Sequence, residues 1–577
     1  PTLFALTFTG TFSLVYSLSR RVSWGLLGGY FAALIANLDG FLQVKDWLGA
    51  ALNHLALPAF DYWRSSRIIP FTINEFPFWS FLFADLHPHV IDMPVTIFML
   101  AIISAMLISG KSILRNDGLR LRLNWSSLLL YALAAFIFGT LACINPWDMP
   151  VYALLAAAAL LIRSVIDSRG WSARRRAASV LASLAIYVAL CGLAYLFYLP
   201  FYTGYEQLYV SGLGFVSLET KLSDYLTIND LWLFLTVSFF LLELYRWWVR
   251  RFEARAERDG RALHVGDWSA VRRVCGYLLL CAVVLTIAAL LGLKAVLIVL
   301  IAAGAFLLSA QREPRARFIT LLLMAALCIS LGLELVYVRD FLDGGIYERM
   351  NSVFKFSIPA WFCFAIGGVL AAQRLWLRLR GLLRGAWLGA FVLLVIANSL
   401  FLSLGTLSRI HDHQLWAQGQ LPVSSADYLP TLDGEAFIRA WYPGDAEAIA
   451  WINENISGSP VILEAVEPYS YSWFARISVY TGLPDVLGWP DHVAEQRYSE
   501  QVLSRLADVG IIYTTPDPNQ ANQLLRYYSV RYIYVGELER QAYAAQSTSG
   551  LDKFDRMVGS ALRIVYRHDG VTIYEVL

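Results

Sequence analysis

The chain has 577 residues, 58% of them hydrophobic and only 16% charged, with a mean hydropathy of +0.53. Soluble domains sit near half apolar and a quarter charged, so this composition excludes an ordinary soluble protein and points to a polytopic membrane protein with one water-soluble region. A net charge of +2 gives no global attraction to nucleic acid; the charges matter through their placement.

Apolar runs long enough to cross a bilayer lie at 2–19, 23–38, 92–110, 126–144, 149–165, 177–199, 229–249, 274–291, 293–310, 318–338, 354–372 and 387–405. They predict an α-helical polytopic membrane domain of about 12 transmembrane helices over 1–405. The chain opens at Pro1 inside an apolar run, which reads as a fragment of a longer protein. All six cysteines lie in or beside apolar runs, with no disulfide or zinc-type spacing. Every second loop is basic: Arg20 and Arg21; Lys111, Arg115, Arg120 and Arg122; Arg174 to Arg176; Arg250, Arg251, Arg272 and Arg273; Arg312, Arg315 and Arg317; Arg374, Arg378, Arg380 and Arg384. Cytoplasmic loops carry the excess of Lys and Arg, so these loops face the cytoplasm of a plasma-membrane protein. The outer segments are then 39–91, 200–228, 339–353 and a C-terminal extracytoplasmic domain, 406–577. The spans between read as almost free of charge.

The first outer segment ends in NEFPFWSFLFADLHPHV (74–90), directly before hydrocarbon. Pro88 biases His87 toward extended backbone, which sends alternate side chains to one face. Asp85, His87 and His89 are thereby expected to converge, with Glu75 in reach. Such a set suits a phosphate, a divalent metal (Mg or Mn), or acid–base work. INPWDMP (144–150) puts Trp147 and Asp148 at an outer boundary, where an aromatic belt and a helix cap are the plain readings. VRDFLDGGIYERMNSVFK (338–355) holds Asp340, Asp343, Glu348, Arg349, Asn351 and Lys355. Arg349 and Lys355 are rare cations on the outer side, suited to gripping a phosphate, with internal pairing of Arg349 to Asp343 as the plain alternative.

The C-terminal region reads as a small α/β domain. Helices are expected at 444–456, 494–507 and 518–528. Strands are expected at 460–465, 510–515, 531–536, 562–568 and 571–576, all rich in Ile, Val and Tyr. Its candidate contacts are Arg476, Trp489, Asp491 and His492, with Trp489 inside a GWP turn and the acid–His pair directly after it.

NEFPFWSFLFADLHPHV, INPWDMP, IYERMNSVFKF, TGLPDVLGWPDH and YSVRYIYVGELER together resemble the uncharacterised multipass membrane family DUF2298, also called the Chlor_Arch_YYY domain. After GWPDH this chain has Val493 where the family pattern has an acidic residue. The resemblance implies a GT-C-like architecture and, with it, glycosyl transfer from a polyprenyl-phosphate sugar donor to a glycan, lipid or protein acceptor. In that reading Asp85 or Glu75 is the general base. His87, His89, Asp148, Glu348, Arg349, Asn351 and Lys355 contact phosphate or substrate, as do Arg476, Trp489, Asp491 and His492; Asp85, His87 and His89 are the candidate metal ligands. The alternatives are a lipid or lipid-linked sugar flippase and a non-catalytic membrane assembly protein. Ion-coupled transport calls for ionisable groups inside the membrane, which spans free of charge would not supply.

Overall fold

The computed structural model describes residues 1–109, 125–205, 212–258, 282–420, 433–495, 497–544 and 548–577. Lys111, Arg115, Arg120, Arg122, Arg272, Arg273, Cys275 and Cys281, part of the segment 200–228 and residues 274–281 of the run 274–291 lie outside them. One compact unit extends to Asp412 and a second starts at His413.

Among the described residues of the first unit, ten helices are long and apolar enough to cross a membrane: Thr2–Ser19, Pro88–Ile108, Trp125–Ile144, Met149–Asp167, Ala173–Phe197, Leu222–Arg251, Leu293–Ala310, Pro314–Leu333, Met350–Arg378 and Gly381–Ile410. The run 23–38 differs from expectation. Only Val22–Ala33 is helical, 12 residues. Beyond it the amides turn to other helices: Ala36 N–H donates to Asn398 O and Leu38 N–H to Thr227 O. In lipid every backbone donor needs a protein partner, so this break is tolerated only because neighbouring helices supply one. Helices Thr2–Ser19 and Val22–Ala33 pack closely, and a Cβ on Gly28 would come within 2.7 Å of the Val15 side chain.

Met350–Arg378 is the most enclosed of these helices. Its Trp361 stacks on Phe76 (ring centroids 5.6 Å) and meets Trp232 edge-on at 5.1 Å. Phe31 and Phe401 extend the cluster. Aromatic packing of this kind holds the helices where hydrocarbon outside offers no hydrophobic drive. A short antiparallel pair, β1 (Leu213–Phe215) with β2 (Val336–Val338), ties the segment before helix Leu222–Arg258 to the loop that leads into Met350–Arg378.

In the second unit, β3 (Val461–Leu463), β4 (Val530–Val535), β5 (Leu562–His568) and β6 (Val571–Val576) form one sheet in the order β3-β4-β6-β5. β3 and β4 are parallel; the other pairs are antiparallel. Asp569 (φ 42°) and Gly570 (φ 73°) make the two-residue turn between β5 and β6, where both positions need positive φ. Helices Pro443–Asn455 and Pro518–Tyr527 form as expected. The strand expected at 510–515 is instead the end of helix Ser499–Thr514. Val502, Val509, Ile512 and Tyr513 are buried along that helix, so its β-branched residues serve a helical face packed on the sheet.

Candidate functional site

Helix Pro77–Phe83 begins with Pro at its first turn and stops at Ala84, which takes the left-handed conformation (φ 64°). Asp85 and Leu86 bridge to His87, the extended N-cap of helix Pro88–Ser104, with Pro88 at its first position. The Pro88 that makes His87 extended therefore also starts a helix. His89 already lies in the first helical turn, rotated away from His87, so the expected alternation of Asp85, His87 and His89 onto one face fails at its third member. His87 keeps Asp85, with Nδ1 3.4 Å from Oδ2. His89 is buried and faces Glu75, with Nε2 3.4 Å from Oε2; Ser80 Oγ donates to the same carboxylate at 2.7 Å. The two imidazoles remain neighbours, centroids 4.9 Å apart, and both pack against the Phe354 ring.

Phe354 and Lys355 arrive on helix Met350–Arg378. Lys355 Nζ lies 2.7 Å from His87 Nε2, and 4.5 Å from the Phe354 ring centroid. With the ammonium donating to Nε2, Nδ1 carries the imidazole proton and faces Asp85. The group Asp85–His87–Lys355 joins the N-cap of helix Pro88–Ser104 to the second turn of helix Met350–Arg378. The His87 and Asp85 side chains are 30% and 41% exposed.

The other candidate side chains of the loop 338–355 have partners within the protein. Arg349 is buried. It bonds Glu334 at 3.1 Å and Thr220 at 3.0 Å, so its partner is Glu334 rather than Asp343 or a surface phosphate. Glu348 accepts from the Ser217 amide and hydroxyl at 2.8 and 2.6 Å, and Asn351 donates to Asp340 at 2.9 Å. These contacts fix the entry of helix Met350–Arg378 and so aim Lys355.

Asp148 departs from both earlier readings. It stands at the N-cap position of Met149–Asp167, yet its side chain makes no cap hydrogen bond and is wholly buried. It faces Asp92 instead, with Asn145 and Tyr152 around the pair and Lys355 as the nearby cation. A phosphate in the headgroup layer has no access to it. Asp92 and a second acid, Asp230, lie within spanning helices, which corrects the reading of charge-free spans. Each opens an apolar run, so its carboxyl is legible as a lone acid at the edge of hydrocarbon. Asp230 accepts from Asn398 at 3.1 Å.

In the second unit Arg476 is fully buried and bonded to three carboxylates: Asp445 at 2.5 Å, Glu539 at 3.0 Å and Glu464 at 3.5 Å. Tyr534 donates to Asp445 at 2.6 Å. Burial pushes Glu464 up to about 7, against the attraction of Arg476. Arg476 thus joins the strands to the helices and is not available to substrate. Trp489 donates to Phe474 O at 2.7 Å. His492 Nε2 lies 3.0 Å from the Tyr471 hydroxyl, and exposed Asp491 sits beside it at the start of the short helix Pro490–Ala494.

The metal expectation is tested by the donor set. Among the described residues no three His, Cys, Asp or Glu side chains gather as ligands, and the Lys355 ammonium stands at His87 Nε2 where a cation would bind. Asp85, His87 and His89 do not fit a metal held by these residues alone.

Several solved structures resemble the chain. The Archaeoglobus fulgidus oligosaccharyltransferase crystallised with Zn and sulfate matches at 11% identity and TM-score 0.35, over 100% of this chain and 60% of that one. The same organism's oligosaccharyltransferase tethered to an acceptor peptide matches at 12% identity and TM-score 0.34, over 100% and 62%. Its AglB complex with an inhibitory peptide and a dolichol-phosphate matches at 11% and 0.31. The chain spans about 60% of the length of the first of these. No curated protein matches it. The family model described as "Uncharacterized membrane protein (DUF2298)" matches residues 1–364, and the chain belongs to that family of multipass membrane proteins.

Proposed function

We infer that the chain is a membrane glycosyltransferase that takes a sugar from a polyprenyl-phosphate carrier at the extracytoplasmic face of the plasma membrane. The observation that carries this reading is the Asp85–His87–Lys355 group, a carboxylate and a cation 2.7–3.4 Å from one shared imidazole. It lies at the N-cap of one spanning helix and the second turn of another, near one end of the hydrocarbon layer, which is where a lipid-linked phosphate presents its charge. The GT-C-like resemblance and the basic loops on the opposite side agree with that placement.

In this reading the acceptor hydroxyl attacks the anomeric carbon and the bond from that carbon to the phosphate oxygen breaks. Polyprenyl phosphate leaves with the bonding pair. Asp85 takes the acceptor's proton. Lys355 meets the charge growing on the leaving phosphate, and His87 holds both groups in register. His89 and Glu75, locked together behind His87, are positioning residues.

The test uses the full-length protein in proteoliposomes with labelled polyprenyl-phosphate sugars and a crude acceptor fraction, following release of polyprenyl phosphate. Release by wild type that Asp85→Asn and Lys355→Met each abolish, in folded protein, supports the reading. Release that survives both substitutions, or donor binding and lipid translocation without release, would overturn it.

A further inference from the structure

The second unit contains a cavity of about 600 Å³ beside the edge strand β3, within the size range of small-molecule sites. Its polar walls are Asp485, Gln501, Ser504, Arg505, Tyr527 and Tyr528, and two valines complete it. The Arg505 guanidinium lies 5.2 Å from the Tyr528 ring centroid and is held there by one bond to Val486 O, at 2.7 Å. Tyr528 is fixed in turn by donating to Asp508 at 2.5 Å. Tyr527 meets Tyr528 edge-on at 4.8 Å and is 76% exposed, an unusual exposure for an aromatic ring. Asp485 accepts the Val486 amide through Oδ1 at 2.6 Å, while its buried Oδ2 finds no hydrogen-bond partner in the protein. Burial, and then Glu464, push the Asp485 carboxyl well above its ordinary range.

We propose that this cavity is a saccharide-binding site that takes a pyranose ring, free or at the end of a glycan. A pyranose needs three things together. Planar side chains must grip adjacent hydroxyls, each a donor and an acceptor; Asp485, Arg505 and Gln501 supply them. Its C–H face needs an aromatic surface, and the exposed Tyr527 ring supplies it. The site must also be polar, and walls mainly of polar groups discriminate against an acyl chain. The site is independent of the membrane reaction: a chain that releases no polyprenyl phosphate can still bind a pyranose here.

The experiment is saturation-transfer NMR and calorimetry on the full-length chain in nanodiscs. The probes are the methyl pyranosides of glucose, galactose, mannose and N-acetylglucosamine, with maltotriose as an extended glycan. The expected result is saturable binding of at least one probe, weakened tenfold or more by Tyr527→Ala and by Asp485→Asn but unchanged by Lys355→Met. Preference for maltotriose assigns the site to a glycan chain, and equal or better binding of a single ring assigns it to a free sugar. Tyr527 is exposed, so its variant keeps the test open even where Asp485→Asn fails to fold. Absence of binding by every probe, binding that persists in Tyr527→Ala, or loss of binding in Lys355→Met alone overturns the proposal.

Discussion

Two charged groups in this molecule look alike in sequence and differ in kind. Arg476 is enclosed, and its guanidinium is divided among Asp445, Glu464 and Glu539. Lys355 shares one imidazole with Asp85 at a half-open helix junction. A cation surrounded by acids in a dry interior holds elements together, and removing it leaves buried charge. A cation beside an exposed imidazole and carboxylate retains the capacity to meet a ligand's charge. Burial therefore separates these two cations, where residue type alone does not.

The largest expected effect is on the structural side. Arg476→Met should destabilise the second unit by about 3–5 kcal/mol, because three carboxylates lose their counter-charge in the interior. Thermal unfolding and limited proteolysis of the full-length chain check this; an unchanged melting curve would break the comparison. On the chemical side, Lys355→Met should lower polyprenyl-phosphate release by about 10²–10³-fold, the scale of one lost electrostatic donor, with melting unaffected. Loss of folding instead would make Lys355 a second Arg476.

The pH dependence sharpens the contrast. The folded pKa of Glu464 is raised from its ordinary 4.5 to about 7, chiefly by burial. The folded state then binds the proton more tightly than the unfolded chain, so this contribution to stability is whole below about 4.5 and is lost as pH rises through about 7. Glu464→Gln should flatten the melting temperature against pH in that window, measured by tryptophan fluorescence. The smallest effect is expected at Asp491, an exposed residue of the second unit. Asp491→Asn should shift stability by less than about 0.5 kcal/mol, and a larger change in chemical melting would show a partner for it.

Much of this was legible in the chain. Long apolar runs have one solution in a bilayer, so ten of the twelve runs read from hydropathy coincide with spanning helices among the described residues. The β5–β6 pair could be read locally, because β-branched alternation acts over a few residues. The site was legible only in part. His87 and Asp85 do pair, but His89 turns away because the same proline that extends His87 begins a helix after it. Arg349 and Arg476 read as phosphate ligands, since a sequence shows a cation's presence and not its partner. Glu334 lies 15 residues from Arg349, and Glu539 lies 63 from Arg476. Asp92 heads its run as a lone acid, but nothing local shows that it meets Asp148.

The sequence by itself determined the membrane class, the alternating basic loops and the ADLHPH junction. Each depends on composition or on interactions within a turn. Only the tertiary structure decided that residues 510–515 are helical, that Asp148 is buried against Asp92, and that Lys355 meets His87 from 268 positions away. These outcomes turn on which surfaces are buried against each other. A side chain's chemistry depends on partners brought together by packing, and packing is a property of the whole chain.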